Sequence, residues 1–354
     1  MGGKVMSTLV IDSPQLEMRP SPGGLGLYRG GALVSQVPLR LLDRVILHGA
    51  RTIDSGVLAR ILSAGASVVL ISGRQNRFIG TISGELHSDA SIRLGQYRLC
   101  TEQNASAQWS RRLILLKLRA QHASLSRILA DRPDLRHPFL QPMLRLVAAR
   151  KSLALVESID RASLLGIEGA AARSYFEALA SALPESISFA GRVRRPPRDP
   201  VNACLSLAYT LLLSEASFAA HGAGLDPALG FFHSPAFGRP SLACDLMEPL
   251  RPAADVWVWS LFRSHRLRAE DFRNDTTGCR LGKAGRARFY AAFEEFAAPV
   301  QRHLRRYVAM MVRAIRALPG TEFQGRDEDS LPFPLDDRHS DTTMGDSMAG
   351  KAEQ

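Results

Sequence analysis

Two rhythms of apolar and polar positions divide the chain. Up to about residue 90, apolar residues come in short runs of strand length. Arg44-Val-Ile-Leu47, Ser67-Val-Val-Leu-Ile71 and Arg77-Phe-Ile-Gly-Thr-Ile82 are the clearest, and the first strand is expected near Thr8. Leu25-Gly-Leu-Tyr28 and Ala32-Leu-Val34 flank Arg29-Gly30-Gly31, which predicts a hairpin with a glycine turn. One short helix, 55–63, is predicted among the strands and stops at Ala64-Gly65. From 91 to 319 apolar residues recur at helical spacing, most plainly over 109–130, 170–183 and 287–317. Breaks fall at Pro133, Pro184, Pro196-Pro197, Pro227 and Pro240. From 320 onward the periodicity stops, and Ser, Thr, Gly, Asp and Pro dominate. The pattern predicts an α+β chain: a strand zone (1–90), a nearly all-helical zone (91–319) and a disordered acidic tail (320–354).

Length and composition narrow the class. With 354 residues, 45% apolar and 22% charged, the chain is long enough for two domains and has globular composition. The most apolar helical stretch, 201–220, is interrupted by Asn202, Ser206, Thr210, Ser214 and Glu215, so it is expected as a buried core helix and not a membrane span. No basic–apolar–small leader opens the chain, and a cytoplasmic protein is expected. The four cysteines lie at least 35 residues apart, without a CxxC pair. A zinc knuckle is therefore not expected, and a disulfide framework has no support.

Charge adds a partner class. The net charge is +11, carried almost wholly by arginine, which suits bidentate phosphate contacts. The strand zone carries +3, the helical zone +14 and the tail −6. Within the helical zone the positive residues cluster: Arg192, Arg194, Arg195 and Arg198; Arg263 through Arg288; and Arg302, Arg305 and Arg306. Such clusters point to a nucleic-acid track, with solvated helix faces as the alternative.

Candidate chemistry sits in two places. In the stretch 230–249, His233 precedes Asp245 and Glu248, which stand i and i+3 on one helix face. Leu242, Leu246, Met247 and Leu250 bury that helix, so its carboxylates need a metal, a basic partner or exposure. Pro249 predicts a kink or helix end, and Ser241 is offered as the N-cap. The second place is Glu168, set among Gly166, Gly169 and three alanines, with Ala172 and Tyr175 on its face. Small neighbours suit a rigidly held ligand, and they suit an ordinary helix crossing equally. One imidazole with carboxylates fits Mg²⁺ or Mn²⁺ and fits structural zinc poorly. Trp257 and Trp259, two apart on a helix, cannot share a face, so at least one is expected in the core.

The strings GFFHSPAFGRPSLACDLMEPLRP (230–252) and LLGIEGAAARSYF (164–176), in this order, resemble the CRISPR-associated integrase of spacer acquisition, the family called CRISPR-associated protein one. Val193-Arg-Arg-Pro-Pro-Arg-Asp-Pro-Val-Asn202, the basic stretch from Gly282 to Tyr290 and the segment 67–80 are similar to further parts of it, and the resemblance covers about 8–318. It implies an N-terminal β-sandwich-like domain followed by a larger all-α catalytic domain. It implies a metal site and catalytic centre at Glu168, His233 and Glu248, with Asp245 as a supporting acid beside the ion; the family often has Asp where Glu248 stands. The implied activity is endonuclease and integrase chemistry that inserts short DNA fragments into a CRISPR array, using Mg²⁺ or Mn²⁺ on double-stranded and branched DNA. The implied assembly is a homodimer, two of which grip a dimer of the small CRISPR-associated protein two, away from any membrane. Arg173, Tyr175, Arg194, Arg195, Arg239, Arg280, Lys283, Arg286 and Arg288 are the candidate DNA contacts. A stand-alone metal-dependent nuclease and a non-catalytic DNA-binding scaffold are the competing readings.

Overall fold

The computed structural model describes residues 7–73, 78–84, 89–193, 196–276 and 278–319. The expected acidic tail and the candidates Arg194 and Arg195 lie outside the described residues.

The N-terminal region holds two sheets. Strands β1 (Ser7–Ile11), β2 (Leu16–Ser21), β3 (Gly24–Arg29), β4 (Ala32–Pro38) and β5 (Leu42–His48) precede helix α1 (Ser55–Ser63), β6 (Ser67–Ile71) and β7 (Phe78–Ile82). One sheet runs β1-β5-β6-β7, parallel except for β7; the other is the antiparallel meander β2-β3-β4. The predicted glycine hairpin joins β3 to β4. Gly30 and Gly31 have φ of 57° and 81°, the left-handed values this turn demands at both corners.

Period-two alternation makes the four-stranded sheet a middle layer. Val45, Leu47 and Val68 face Met18, Leu25 and Leu27 of the meander together with Val57 and Ile61 of α1. Their neighbours Ile46, Val69 and Ile71 point the other way and enter the core of the helical region. Strands buried on both faces read as continuous apolar runs, which is how β5 and β6 read. Arg44 of β5 crosses the same boundary and pairs with a buried glutamate, Glu215.

The helical region comprises α2 (Ala90–Thr101), α3 (Gln103–Asp131), α4 (Arg136–Leu155), α5 (Arg161–Ser181), α6 (Pro200–Gly222), α7 (Ser241–Met247), α8 (Arg251–Arg263) and α9 (Lys283–Arg316). Helix α6 is its axle. Asp199 caps it by accepting from the Asn202 amide at 2.8 Å, and Pro200 opens the first turn. Among the described residues it is the one helix long and apolar enough to cross a membrane, and 67% of that stretch is buried inside the protein.

Two local expectations are corrected. The zone read as helical contains a hairpin between α8 and α9, formed by β8 (Phe272–Asp275) and β9 (Gly278–Leu281). Its four-residue strands carry Arg273, Asn274, Asp275 and Arg280, too short and too polar for an alternating signature. Ser241 does not cap α7; it is the first helical residue, and its hydroxyl donates to the Ser234 carbonyl at 2.9 Å. The break at Pro249 is present: α7 ends at Met247, a single 3₁₀ turn spans Glu248–Leu250, and α8 starts at Arg251. Trp259 is core, donating its indole N–H to the Ala182 carbonyl at 3.1 Å, while Trp257 stacks on Phe296.

Candidate active site

Helix α3 supplies a residue that the sequence reading passed over. Lys117 lies in a stripe of Leu113, Ile114, Leu118, Gln121 and Leu125 that faces the core, and it is the only buried lysine among the described residues (7% exposed). Its ammonium group donates to Glu168 of α5 and, at 2.5 Å, to Oε2 of Glu248. A buried ammonium is tolerated only with partners of this kind. The readable signal was a lysine interrupting an apolar helical stripe.

Glu248 is 4% exposed and held from three sides. Besides Lys117, the Arg251 Nε lies 2.9 Å from Oε1 and the His233 Nε2 lies 4.0 Å from the same oxygen. Burial alone would raise its pKa; the cations Arg251 and Lys117 with His233 outweigh burial and hold it at about 2, so it is ionised. The Arg251 guanidinium lies over the Tyr209 ring, 4.6 Å from its centroid, and the Tyr209 hydroxyl donates to buried Asp255 at 2.5 Å.

His233 is fixed by Asp245. One Asp245 oxygen accepts from the Phe231 and Phe232 amides at 2.6 and 3.0 Å. The other accepts from the His233 amide at 3.0 Å and from its Nδ1 at 2.6 Å. Nδ1 is therefore held against Asp245, and Nε2 is the ring nitrogen turned toward Glu248. With all four bonds used, Asp245 orients the imidazole and has no position left for a ligand. Gly230 permits this wrapping: a Cβ there would stand 2.7 Å from the His233 carbonyl oxygen and 2.8 Å from Oδ2 of Asp245. Arg161, at the start of α5, donates to the Phe232 carbonyl at 3.0 Å and to the Ser234 hydroxyl, tying the His233 loop to the Glu168 helix.

Glu168 and Glu248 are thus brought together around the Lys117 ammonium, and the His233 Nε2 lies 4.0 Å from the other oxygen of Glu248. Among the described residues no three His, Cys, Asp or Glu side chains form a ready-made metal cage. The two glutamates face one ammonium instead of one another.

The other candidates scatter. Tyr175 is corrected: it is 1% exposed in the core, and a phenol enclosed there cannot touch DNA. Arg239 folds back to donate to the Ser234 carbonyl and, at 3.2 Å, to the Ser241 hydroxyl. Arg280 pairs with Asp275, Arg288 with Asp271, and Arg286 with Asp12 at 3.3 Å, so much of the basic stretch is locally neutralised. Arg173 and Lys283 are exposed.

A two-sheet N-terminal region joined to a helical body is an arrangement with known relatives. The family model for the CRISPR-associated protein Cas1 matches residues 9–295, and the chain belongs to that family. The CRISPR-associated endonuclease Cas1 1 of Thermodesulfovibrio yellowstonii is 36% identical over 297 residues, 82% of this chain and 91% of that protein. Among solved structures, a chain of a Cas6–RT–Cas1–Cas2 complex superimposes with a TM-score of 0.75 at 22% identity; the match covers 88% of this chain but 35% of that one. A casposase bound to its integration product gives a TM-score of 0.75 at 18% identity, over 91% of this chain and 96% of that one.

Proposed function

We propose that this chain is a metal-dependent DNA integrase and endonuclease that inserts short DNA fragments into a CRISPR array. The observation that carries the reading is that Glu168 and Glu248 share one buried cation, with the His233 Nε2 4.0 Å from Glu248, in a chain of the Cas1 family. The donor types suit a divalent ion. Two carboxylates already share a positive charge, and the Nε2 of an oriented imidazole lies 4.0 Å from one of them. Oxygen donors with one nitrogen match Mg²⁺ or Mn²⁺. Such an ion, held by Glu168, His233 and Glu248 after the ammonium swings aside, would supply Lewis-acid activation of a hydroxyl and neutralise charge on phosphate oxygens.

The chain's own groups do the rest. Asp245 holds the imidazole in one orientation. Arg251 keeps Glu248 ionised. In the proposed reaction the 3′-hydroxyl oxygen of the fragment bonds to phosphorus at the repeat boundary. The bond from phosphorus to the repeat's 3′-oxygen breaks, and that oxygen leaves as a new 3′-hydroxyl. Water as the attacking group gives strand cleavage. The proposed partners are double-stranded and branched DNA, a second copy of the chain, and a dimer of the small CRISPR-associated protein two.

The test is integration of an end-labelled fragment into a supercoiled plasmid bearing a repeat, with the partner protein present. Wild type should transfer label to the plasmid. Glu168→Ala and Glu248→Ala should abolish transfer and bind DNA nearly as wild type, because affinity rests on many phosphate contacts. Nicked plasmid without label would identify a stand-alone nuclease. Activity surviving in both variants would move the active site elsewhere.

A further inference from the structure

Tyr209 of α6 meets one face of α8 at two points. Arg251 and Asp255 stand i and i+4 on α8, so both side chains leave it on the same side. The Tyr209 hydroxyl donates to Asp255, itself 2% exposed, at 2.5 Å, and the Arg251 guanidinium lies over the Tyr209 ring, 4.6 Å from its centroid. The hydroxyl bond fixes the ring, and the fixed ring offers its negative face to the guanidinium. Arg192, which donates to Asn202 at 2.9 Å and to Ser206 at 3.2 Å, lies over the same ring at 5.2 Å, so the ring is held from its own helix as well.

Arg251 in turn touches Glu248, its Nε 2.9 Å from Oε1. That Nε is enclosed and makes no aligned hydrogen bond among the described residues, so the contact is one of charge and sets no direction for the guanidinium. The Tyr209 ring is what sets it. The other oxygen of Glu248, Oε2, accepts from Lys117 at 2.5 Å. Once that ammonium gives way, as the reading above requires, Arg251 is the cation still in contact with the carboxylate. A ring that never reaches Glu248 thus decides where Oε1 sits and, through it, where Oε2 points.

We propose that Tyr209 is a positioning residue for strand transfer: it touches no reacting atom, but by seating Arg251 it fixes the Glu248 carboxylate in the orientation the reaction needs. The inference rests on the DNA strand-transfer reading above and deepens it.

The seat of Arg251 is read first, without divalent ion. In EDTA, exchange of the Arg251 Nε–H with water is followed by proton–nitrogen NMR of the full chain, the signal being assigned from its absence in Arg251→Lys. An enclosed N–H exchanges slowly. Tyr209→Leu should speed the exchange about tenfold, the scale of one enclosed cation–ring contact, whereas Tyr209→Phe keeps the ring and should leave it slow. In the plasmid assay, Tyr209→Leu should lower the maximal rate of label transfer about 100-fold, the effect of a ~1 Å misplacement, with the DNA concentration for half-maximal rate unchanged. Tyr209→Phe should transfer label near the wild-type rate although its Tm falls, because Asp255 loses a donor. A merely structural residue would have transfer follow Tm in both variants, and that result would overturn the inference. So would slow exchange retained in Tyr209→Leu, or fast exchange with wild-type transfer. Failure of wild type to join label sinks the integrase reading, whereas the exchange measurement judges the seat of Arg251 alone.

Discussion

Replacing Lys117 by Met tests whether one ammonium holds the two glutamates together. Methionine keeps most of the volume and removes the charge. In the wild type, Lys117 bonds Glu168, whose side chain is 20% exposed, and Glu248, whose side chain is 5% exposed, at 2.5 Å for the latter. Removing one partner of a buried ion pair costs about 3–5 kcal/mol. Arg251 still faces Glu248 and Glu168 retains some solvent, so the low end applies, about 3 kcal/mol. For a folded unit somewhat larger than 250 residues, each kcal/mol moves Tm by roughly 2 °C, giving a fall of about 6 °C. Calorimetry in EDTA reads this directly. Adding Mn²⁺ or Mg²⁺ should then raise Tm more in Lys117→Met than in wild type, where the ion must first displace the ammonium. Tm values within about 1 °C of each other in EDTA, or equal metal-induced gains, would refute the shared-cation argument.

Asp255 gives a pH prediction. Burial raises its pKa from 3.8 to about 6, against the pull of Tyr209, Tyr175, Arg192 and Arg251 around it. A carboxyl whose folded pKa is raised favours the folded state below pH 3.8, and that contribution is lost as pH climbs through 6. Asp255→Asn should therefore gain about 3 kcal/mol over wild type between pH 4 and 6.5 in urea unfolding, with the two converging below pH 4; parallel curves would exclude it. Asp245→Asn keeps one acceptor oxygen and sets an NH₂ against backbone donors, so stability should fall by about 3 kcal/mol and DNA cleavage should drop with it. Gly230→Ala forces a methyl against the His233 carbonyl and Asp245, and should cost about 2 kcal/mol in the same unfolding assay; a neutral effect would mean the loop relaxes freely.

Local chemistry made parts of the fold legible. The Gly30-Gly31 turn, the helix 55–63 and the buried stretch 201–220 each depend on φ preference or periodicity within a few turns of chain. Strand β2 escaped because Arg19 and Pro20 dilute its alternation, and the hairpin β8–β9 because its strands are short and polar. The site divides the same way. The spacing of His233, Asp245 and Glu248 is local and visible, whereas Lys117 reaches the glutamates only through the packing of α3 on α5 and on the turn after α7. Spacing also misled: Tyr175 shares a helical face with Glu168, but two turns further along that face lies inside the core.

The distances along the chain between the groups of the site bear on how the protein is made. Glu168 lies 51 residues and Glu248 131 residues from Lys117. Synthesis runs from the N-terminus, and contacts this distant form late. A nascent chain that has reached residue 229 owns Lys117 and Glu168 but neither His233 nor Glu248. Its ammonium has half its counter-charge, which disfavours burying it. The same holds for any fragment broken before the His233 loop. Chains that stop before the His233 loop therefore lack half of the charged cluster, which assembles only once the turn after α7 packs on α3 and α5.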